Sequence, residues 1–149
     1  MSRPTQVDPR GLRFAAALTS LVLAVALVVP TSVAVVLLVA PGVVFAIGAS
    51  GHLTRSPYAL LFASLVRPRI GAPEELEDAR PPRFAQAVGL VFVTVALVAL
   101  ALGAGLVAQV AVAFALVAAL LNATVGFCLG CEMYLILRRL GAPRAGSPA

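Results

Sequence analysis

The sequence predicts an all-α membrane protein with four transmembrane helices, and three observations lead to that fold class. Of the 149 residues, 61% are apolar and 11% are charged, and the mean hydropathy is +1.04. Soluble domains are about half apolar and about a quarter charged, so this chain has too little polar surface to cover a water-exposed globule. Apolar segments of roughly the ~20 residues that cross a bilayer as a helix recur along the chain. The expected spans are residues 14–30, 32–50, 84–102 and 106–127.

The segments between the spans are of two kinds. Pro30-Thr31-Ser32 and Gly103-Ala104-Gly105 are short and uncharged. Residues 51–83 form a long polar loop, and residues 138–149 form a polar tail. The whole chain is therefore expected to be a single membrane domain.

A short interfacial helix is predicted inside the central loop. Ser56 and Pro57 are typical of a helix N-cap and first turn. Apolar residues then recur at helical spacing up to Val66, which favours a helix lying flat on the membrane. Arg67-Pro68-Arg69 is expected to end it.

The arginines predict the topology. All eleven basic residues are arginine, and they lie before the first span, in the central loop or after the fourth span. The positive-inside rule then places both termini and the loop in the cytoplasm, so we expect a multi-pass protein of the cytoplasmic membrane. The first segment is long for a signal peptide, and we expect it to be retained. The arginines form no patch with interleaved aromatic residues, so no nucleic acid partner is expected.

An internal duplication is suggested by the entries to the first and third spans. Asp8–Ala17 and Asp78–Ala87 share the pattern D-x-R-x-x-R-F-A-x-A. Phe45–Ala49 and Phe127–Cys131, at the exits of the second and fourth spans, are also alike. Two parallel two-helix repeats, related by an axis along the membrane normal, would explain both matches.

Small residues predict how the helices pack. Gly42, Ala46 and Ser50 repeat every four residues in the second span, and Gly126 and Gly130 form a GxxxG pattern. Such stripes favour close helix contacts, so the second span is expected to pack against the fourth.

Cys128 and Cys131 are the candidate catalytic residues. They are the two cysteines of the chain, and Glu132 follows them. At helical spacing both side chains lie on one face, close enough for a reversible disulfide. A permanent disulfide is not expected on the cytoplasmic side, which is reducing. The pair is thus a candidate redox pair, with Glu132 as a candidate proton acceptor.

The reactive form of a cysteine is the thiolate, which nearby cations favour. Candidate thiolate-stabilising residues at the same membrane depth are Arg10, Arg13, Arg80 and Arg83. The bland alternative is that the cysteines only fill space between helices. Metal binding is a third alternative, but His52 and Glu132 would have to complete a structural zinc site, so neither a metal nor a cofactor is expected.

Five stretches carry a family resemblance: Val7–Arg10, Ser56–Phe62, Val66–Arg69, Pro81–Gln86 and Gly126–Glu132. Together they resemble the bacterial integral membrane family catalogued as domain of unknown function 4395. The resemblance implies a multi-span membrane protein of no established activity. It also implies thioredoxin-like or rhodanese-like partners, which favours thiol chemistry at the cysteines.

Two functions from different classes follow. The leading hypothesis is a cytoplasm-facing dithiol protein that exchanges electrons or sulfur with a soluble partner. The alternative is a non-enzymatic membrane scaffold or small transporter subunit, assembled as a homo-oligomer or docked on a partner, with the cysteines as packing residues. Whether the protein is an enzyme stays open.

Overall fold

The computed structural model describes residues 5–141 and contains four helices long and apolar enough to cross a membrane. The chain is therefore an all-α, multi-pass membrane protein, as the composition predicts. The predicted tail falls partly outside the described residues, as do Arg3 and Arg144. The elements in order are β1 (Gln6–Val7), α1 (Pro9–Val28), α2 (Thr31–Ala49), α3 (Pro57–Leu61), α4 (Arg67–Ile70), β2 (Glu77–Asp78), α5 (Arg80–Ala101), α6 (Gly105–Val125) and α7 (Leu129–Gly141).

The four long helices form a ring in the order α1, α2, α5, α6. The main partners of α1 are α2 and α6, and those of α5 are also α2 and α6. The buried centre consists of aliphatic side chains from all four helices, including Leu23, Leu38, Val93 and Ala111. Because lipid covers the outside, large aliphatic side chains remain exposed around the ring.

The predicted packing of the second span against the fourth is wrong. The small residues of α2 face α5 instead: Gly42 lies against Val93, and the Gln86 side chain lies over Gly48. Gly130 lies outside α6 and contacts Ala85, again on α5. The small residues do mark close helix contacts, but both the α2 glycines and Gly130 pack against α5.

The central loop holds a longer helical segment than predicted. The Ser56 hydroxyl accepts a hydrogen bond from the Ala59 N–H (3.2 Å), which caps α3. The helix then widens into a π turn over Phe62–Val66 and continues as α4. Proline lacks an N–H, and the wide turn accommodates Pro68 because the Arg67 N–H donates to the Phe62 carbonyl, five residues earlier. Arg67-Pro68-Arg69 therefore does not end the helix. That this helical segment lies flat on the membrane surface stays a prediction.

The fourth span ends earlier than predicted, and a separate helix follows it. α6 stops at Val125, and Gly126 takes a left-handed conformation with φ of 72°. α7 then packs against α5. The segment expected to be a tail from residue 138 is thus helical up to Gly141.

The segments that precede α1 and α5 are joined. β1 and β2 pair antiparallel, with Val7 opposite Glu77 and Gln6 opposite Asp78. Asp8 bonds to Arg10 (3.0 Å), and the equivalent Asp78 bonds to Arg80 (2.9 Å). The start of each half of the chain therefore has the same local structure.

Candidate functional site

The two cysteines lie at the start of α7, outside the four spans. A disulfide joins Cys128 to Cys131, with the Cα atoms 5.2 Å apart. Both residues are half-buried. The Cys131 N–H donates to the Cys128 sulfur (3.2 Å), and the Glu132 N–H donates to the Cys128 carbonyl (3.0 Å). Cys128 therefore occupies the N-cap position of α7, where a side-chain acceptor satisfies a free N–H.

The turn at the end of α6 places the cysteine pair at the start of α7. The Gly126 N–H donates to the Asn122 carbonyl (3.1 Å), and the Phe127 N–H donates to the Leu121 carbonyl (3.3 Å). The Gly126 bond is that of the αL C-cap motif, which needs a residue with positive φ and so favours glycine at position 126. The break lets a second helix begin within three residues.

Contacts with α5 fix the direction of α7. A Cβ added to Gly130 would lie 2.6 Å from both the Cα and the Cβ of Ala85, so the two helices touch backbone to backbone. One turn further, the rings of Tyr134 and Phe84 are 5.8 Å apart. The disulfide is therefore held beside the first turns of α5.

The four candidate arginines have other partners. Arg10 donates to Asp8 and to the Gly71 carbonyl, and Arg80 donates to Asp78. Arg13 donates to the carbonyls of Ala123 and Thr124, and Arg83 donates to that of Ala49. Within residues 5–141, none of them hydrogen-bonds to a cysteine sulfur. Their role as thiolate-stabilising residues stays a prediction.

The pKa values of Asp8 and Asp78, the acidic partners of Arg10 and Arg80, are both lowered. The side-chain hydrogen bond from Arg10 holds the pKa of Asp8 below its ordinary value. The hydrogen bond from Arg80 lowers the pKa of Asp78 in the same way. Both carboxylates are therefore ionised at neutral pH, and each stays in an ion pair with its arginine.

Glu132 and His52 were the other residues singled out. Glu132 is exposed in the first turn of α7, directly after Cys131. His52 follows α2, with its Nδ1 3.1 Å from the Ser50 hydroxyl. Among the residues from 5 to 141, no three His, Cys, Asp or Glu side chains gather in a way that could hold a metal ion. The assignment of Glu132 as proton acceptor is still a prediction.

The cysteines have structural counterparts in the first half of the chain. Ser56 caps α3 and accepts from Ala59 at 3.2 Å, the same spacing and distance as Cys128 and Cys131 at the start of α7. Sequence comparison aligned Phe127–Cys131 with Phe45–Ala49, and that alignment is wrong. Phe45–Ala49 lies inside α2, whereas Phe127–Cys131 follows α6.

The aromatic contacts agree with this correspondence. Phe62 follows Ser56 by six residues and packs on Phe14, with ring centroids 5.7 Å apart. Tyr134 follows Cys128 by six residues and packs on Phe84 at 5.8 Å. Sequence analysis missed these pairs, although the phenylalanine that ends each R-x-x-R-F motif was the available signal.

The chain belongs to the family described as Domain of unknown function (DUF4395), whose model matches residues 7–139. The match covers both halves and includes the cysteine pair. No curated protein matches the chain. No solved structure matches it either.

Proposed function

We propose that this membrane protein is a dithiol carrier that exchanges electrons with a soluble protein through Cys128 and Cys131. The observation that carries the proposal is a bonded cysteine pair at the N-terminus of a helix outside the four spans. The N-terminal end of a helix favours negative charge, so it stabilises the thiolate that such exchange requires. Both cysteines are half-buried, so neither residue is sealed inside the helix bundle.

The proposed membrane topology follows from the distribution of the arginines. Both termini, the central loop and α7 face the cytoplasm, and the protein resides in the cytoplasmic membrane. The pair then meets a reducing compartment, where a disulfide is transient unless a partner renews it. An impermeant maleimide should label reduced Cys128 in inside-out vesicles and fail to label it in right-side-out vesicles.

The exchange step begins from the dithiol form. The Cys128 thiolate attacks one sulfur of a partner disulfide, the partner S–S bond breaks, and its other sulfur leaves as a thiolate. Cys131 then loses its proton to Glu132 or water and attacks the Cys128 sulfur. The mixed disulfide breaks and the partner leaves as a dithiol, so two electrons have moved from the pair to the partner. A soluble thioredoxin-like dithiol protein resets the pair by the reverse step.

Sulfur transfer uses the same geometry. The Cys128 thiolate takes the outer sulfur of a persulfide on a rhodanese-like partner, whose own sulfur leaves as a thiolate. Cys128 then carries the persulfide. Both reactions pass through attack by Cys128, because that sulfur occupies the N-cap position and accepts the Cys131 N–H.

The second candidate function is a non-enzymatic scaffold or small transporter subunit, which would act as a homo-oligomer in the membrane. The observation that favours it is the correspondence between Cys128 and Ser56, because a serine performs the same capping role in the first half. Under this reading, Cys128→Ser would preserve the structure and every function.

Trapping in membranes tests the proposal. Cys131→Ser leaves the attacking sulfur without its resolving partner, so a covalent adduct with a soluble protein should accumulate and disappear on reduction. Cys128→Ser should give no adduct. A control for N-cap geometry alone puts a cysteine at the other N-cap, as Ser56→Cys in a chain that carries Cys128→Ser and Cys131→Ser.

The outcomes separate the two functions. An adduct with Cys131→Ser alone supports thiol exchange. No adduct with either single variant, together with full retention of assembly, contradicts it and favours the scaffold. Equal trapping by the Ser56→Cys control shows unspecific oxidation and also contradicts the proposal.

A further inference from the structure

We infer that Arg13 is a positioning residue for the cysteine pair and that it acts through the C-terminal end of α6. It bonds to no sulfur; its contacts are with carbonyl oxygens. One Nη of Arg13 lies 2.9 Å from the Thr124 carbonyl and 3.3 Å from the Ala123 carbonyl. The inference rests on the proposed function, because it concerns how readily the pair is reduced.

The Arg13 contacts extend the C-terminal cap of α6. The last carbonyls of a helix have no partner within the helix. The turn after Val125 satisfies those of Leu121 and Asn122 through backbone N–H groups. Arg13 supplies donors to the next two carbonyls along the chain. A side chain from α1 thus fixes the point from which the polypeptide turns towards Cys128.

Two helix ends of opposite sign meet at the cysteine pair. The N-terminus of α7 is positive and favours a thiolate on Cys128, whereas the C-terminus of α6 is negative and opposes it. Only Gly126, Phe127 and Cys128 itself lie between the end of α6 and the start of α7. The guanidinium of Arg13 lies over Gly126, since a Cβ added there would be 3.8 Å from its Cδ and Nε. Its positive charge offsets the unfavourable end.

The chain contains its own control for this role. Arg83 occupies the same place in the D-x-R-x-x-R-F motif of α5, and its Nε donates to the Ala49 carbonyl at the end of α2 (2.8 Å). It also lies over a glycine with positive φ, Gly51. The segment that follows α2 carries no cysteine. Loss of either arginine removes a helix cap, but the helix that Arg83 caps leads to no cysteine, so we expect only the loss of Arg13 to shift the redox equilibrium of the pair.

The effect on the pair has a defined sign. Without Arg13, the carbonyl end of α6 destabilises the Cys128 thiolate, so the reduced form becomes less favourable and the disulfide more favourable. A charge at a helix end changes an equilibrium constant by about two- to five-fold. The dithiol–disulfide constant should therefore shift by about that factor towards the disulfide, and alkylation of reduced Cys128 at neutral pH should slow.

The experiment measures the reduced fraction of the full-length protein in lipid nanodiscs, across dithiothreitol redox buffers, by maleimide mass tagging. The variants are Arg13→Gln, Arg83→Gln and Arg13→Lys. We expect a shift for Arg13→Gln, no shift for Arg83→Gln and a smaller shift for Arg13→Lys, which keeps the charge but loses the paired contacts. Equal shifts for the two glutamine variants, or none for Arg13→Gln, would overturn the inference.

Two further readings keep the test decisive. If Arg13→Gln does not fold, the comparison is made between Arg13→Lys and Arg83→Lys, and a shift confined to the former is required. If the wild-type pair neither oxidises nor re-reduces, the proposed function itself fails. If the wild-type pair cycles and both arginine variants have the same reduced fraction as the wild type, the inference fails and the proposed function stands.

Discussion

The two halves of the molecule share a set of local contacts and differ at the position where chemistry is proposed. Each half begins with an Asp–Arg ion pair, and each sends an arginine to the end of the other half's second helix. Each then starts a short helix whose cap accepts an N–H three residues on. In the first half the cap is a buried serine, and in the second it is a half-buried cysteine bonded to another.

The comparison shows what the cysteines add. A serine is sufficient to cap the helix, so a second cysteine at the third following position has no capping purpose. The first half has Ala59 there. Exposure differs as well, since Ser56 is 6% exposed. The second half thus keeps the local structure of the first and adds a half-buried cysteine pair to it.

Replacing Phe62 or Tyr134, the aromatic residues that pack on Phe14 and Phe84, should give the largest difference in stability between the halves. Phe62 is 5% exposed, and Phe62→Ala should cost about 3 kcal/mol because it leaves a cavity beside Phe14. Tyr134 is only half-buried, so Tyr134→Ala should cost about 1–2 kcal/mol. Thermal unfolding in detergent measures both. Equal losses would show that α7 is anchored as deeply as α3.

Close packing should distinguish the halves next. Gly130 touches the backbone of Ala85, whereas Tyr58 occupies the corresponding place in α3. Gly130→Ala should push α7 away from α5 and cost about 1–3 kcal/mol, as overpacking does. Limited proteolysis within α7 reports the displacement. Gly141→Ala is the control on the same helix, because no atom of residues 5–141 lies within 4 Å of its added Cβ. Unchanged cleavage of Gly130→Ala would contradict the packing.

The ion pairs should give the smallest difference. The Asp8 side chain is 12% exposed and that of Asp78 is 35% exposed. Asp8→Asn keeps an N-cap residue but loses the ion pair, and should cost about 0.5–1 kcal/mol. Asp78→Asn should cost less, because water screens that pair more. Denaturant titration of both variants against the wild type gives the comparison.

The pH dependence of the Asp8 contribution has a fixed sign. Its pKa is lowered in the folded protein from an ordinary value of 3.8. The stabilisation is therefore complete above that value and is lost as the pH falls through the folded pKa. The difference between wild type and Asp8→Asn should stay constant from neutral pH down to about pH 5 and shrink below about pH 4. A difference that grew in acid would contradict the ion pair.

The four spans could be predicted from the sequence because lipid imposes a simple requirement of length and apolarity. The spans end where Pro30, Gly103 and Gly126 interrupt the helices. The helix partners could not be predicted, because a small residue such as Gly48 marks a close contact without naming the neighbour. Gln86, which fills that space from α5, became evident only in the structure.

The cysteine pair was predicted as a site, but its surroundings were not. The C-x-x-C spacing indicates proximity in a helix, whereas the N-cap position of Cys128 depends on the left-handed Gly126. Arg13 was expected to act on the sulfur. Its carbonyl contacts on α6 depend on how α1 and α6 pack, and no local pattern encodes that.

The account depends most on whether the sulfur pair changes its redox state in the membrane. Maleimide mass tagging of the wild-type protein in intact membranes, after successive treatment with dithiothreitol, diamide and dithiothreitol again, measures this directly. We predict two tags, then none, then two, with Cys128→Ser taking one tag throughout. A wild-type chain whose tag number stays the same through all three treatments would contradict the account.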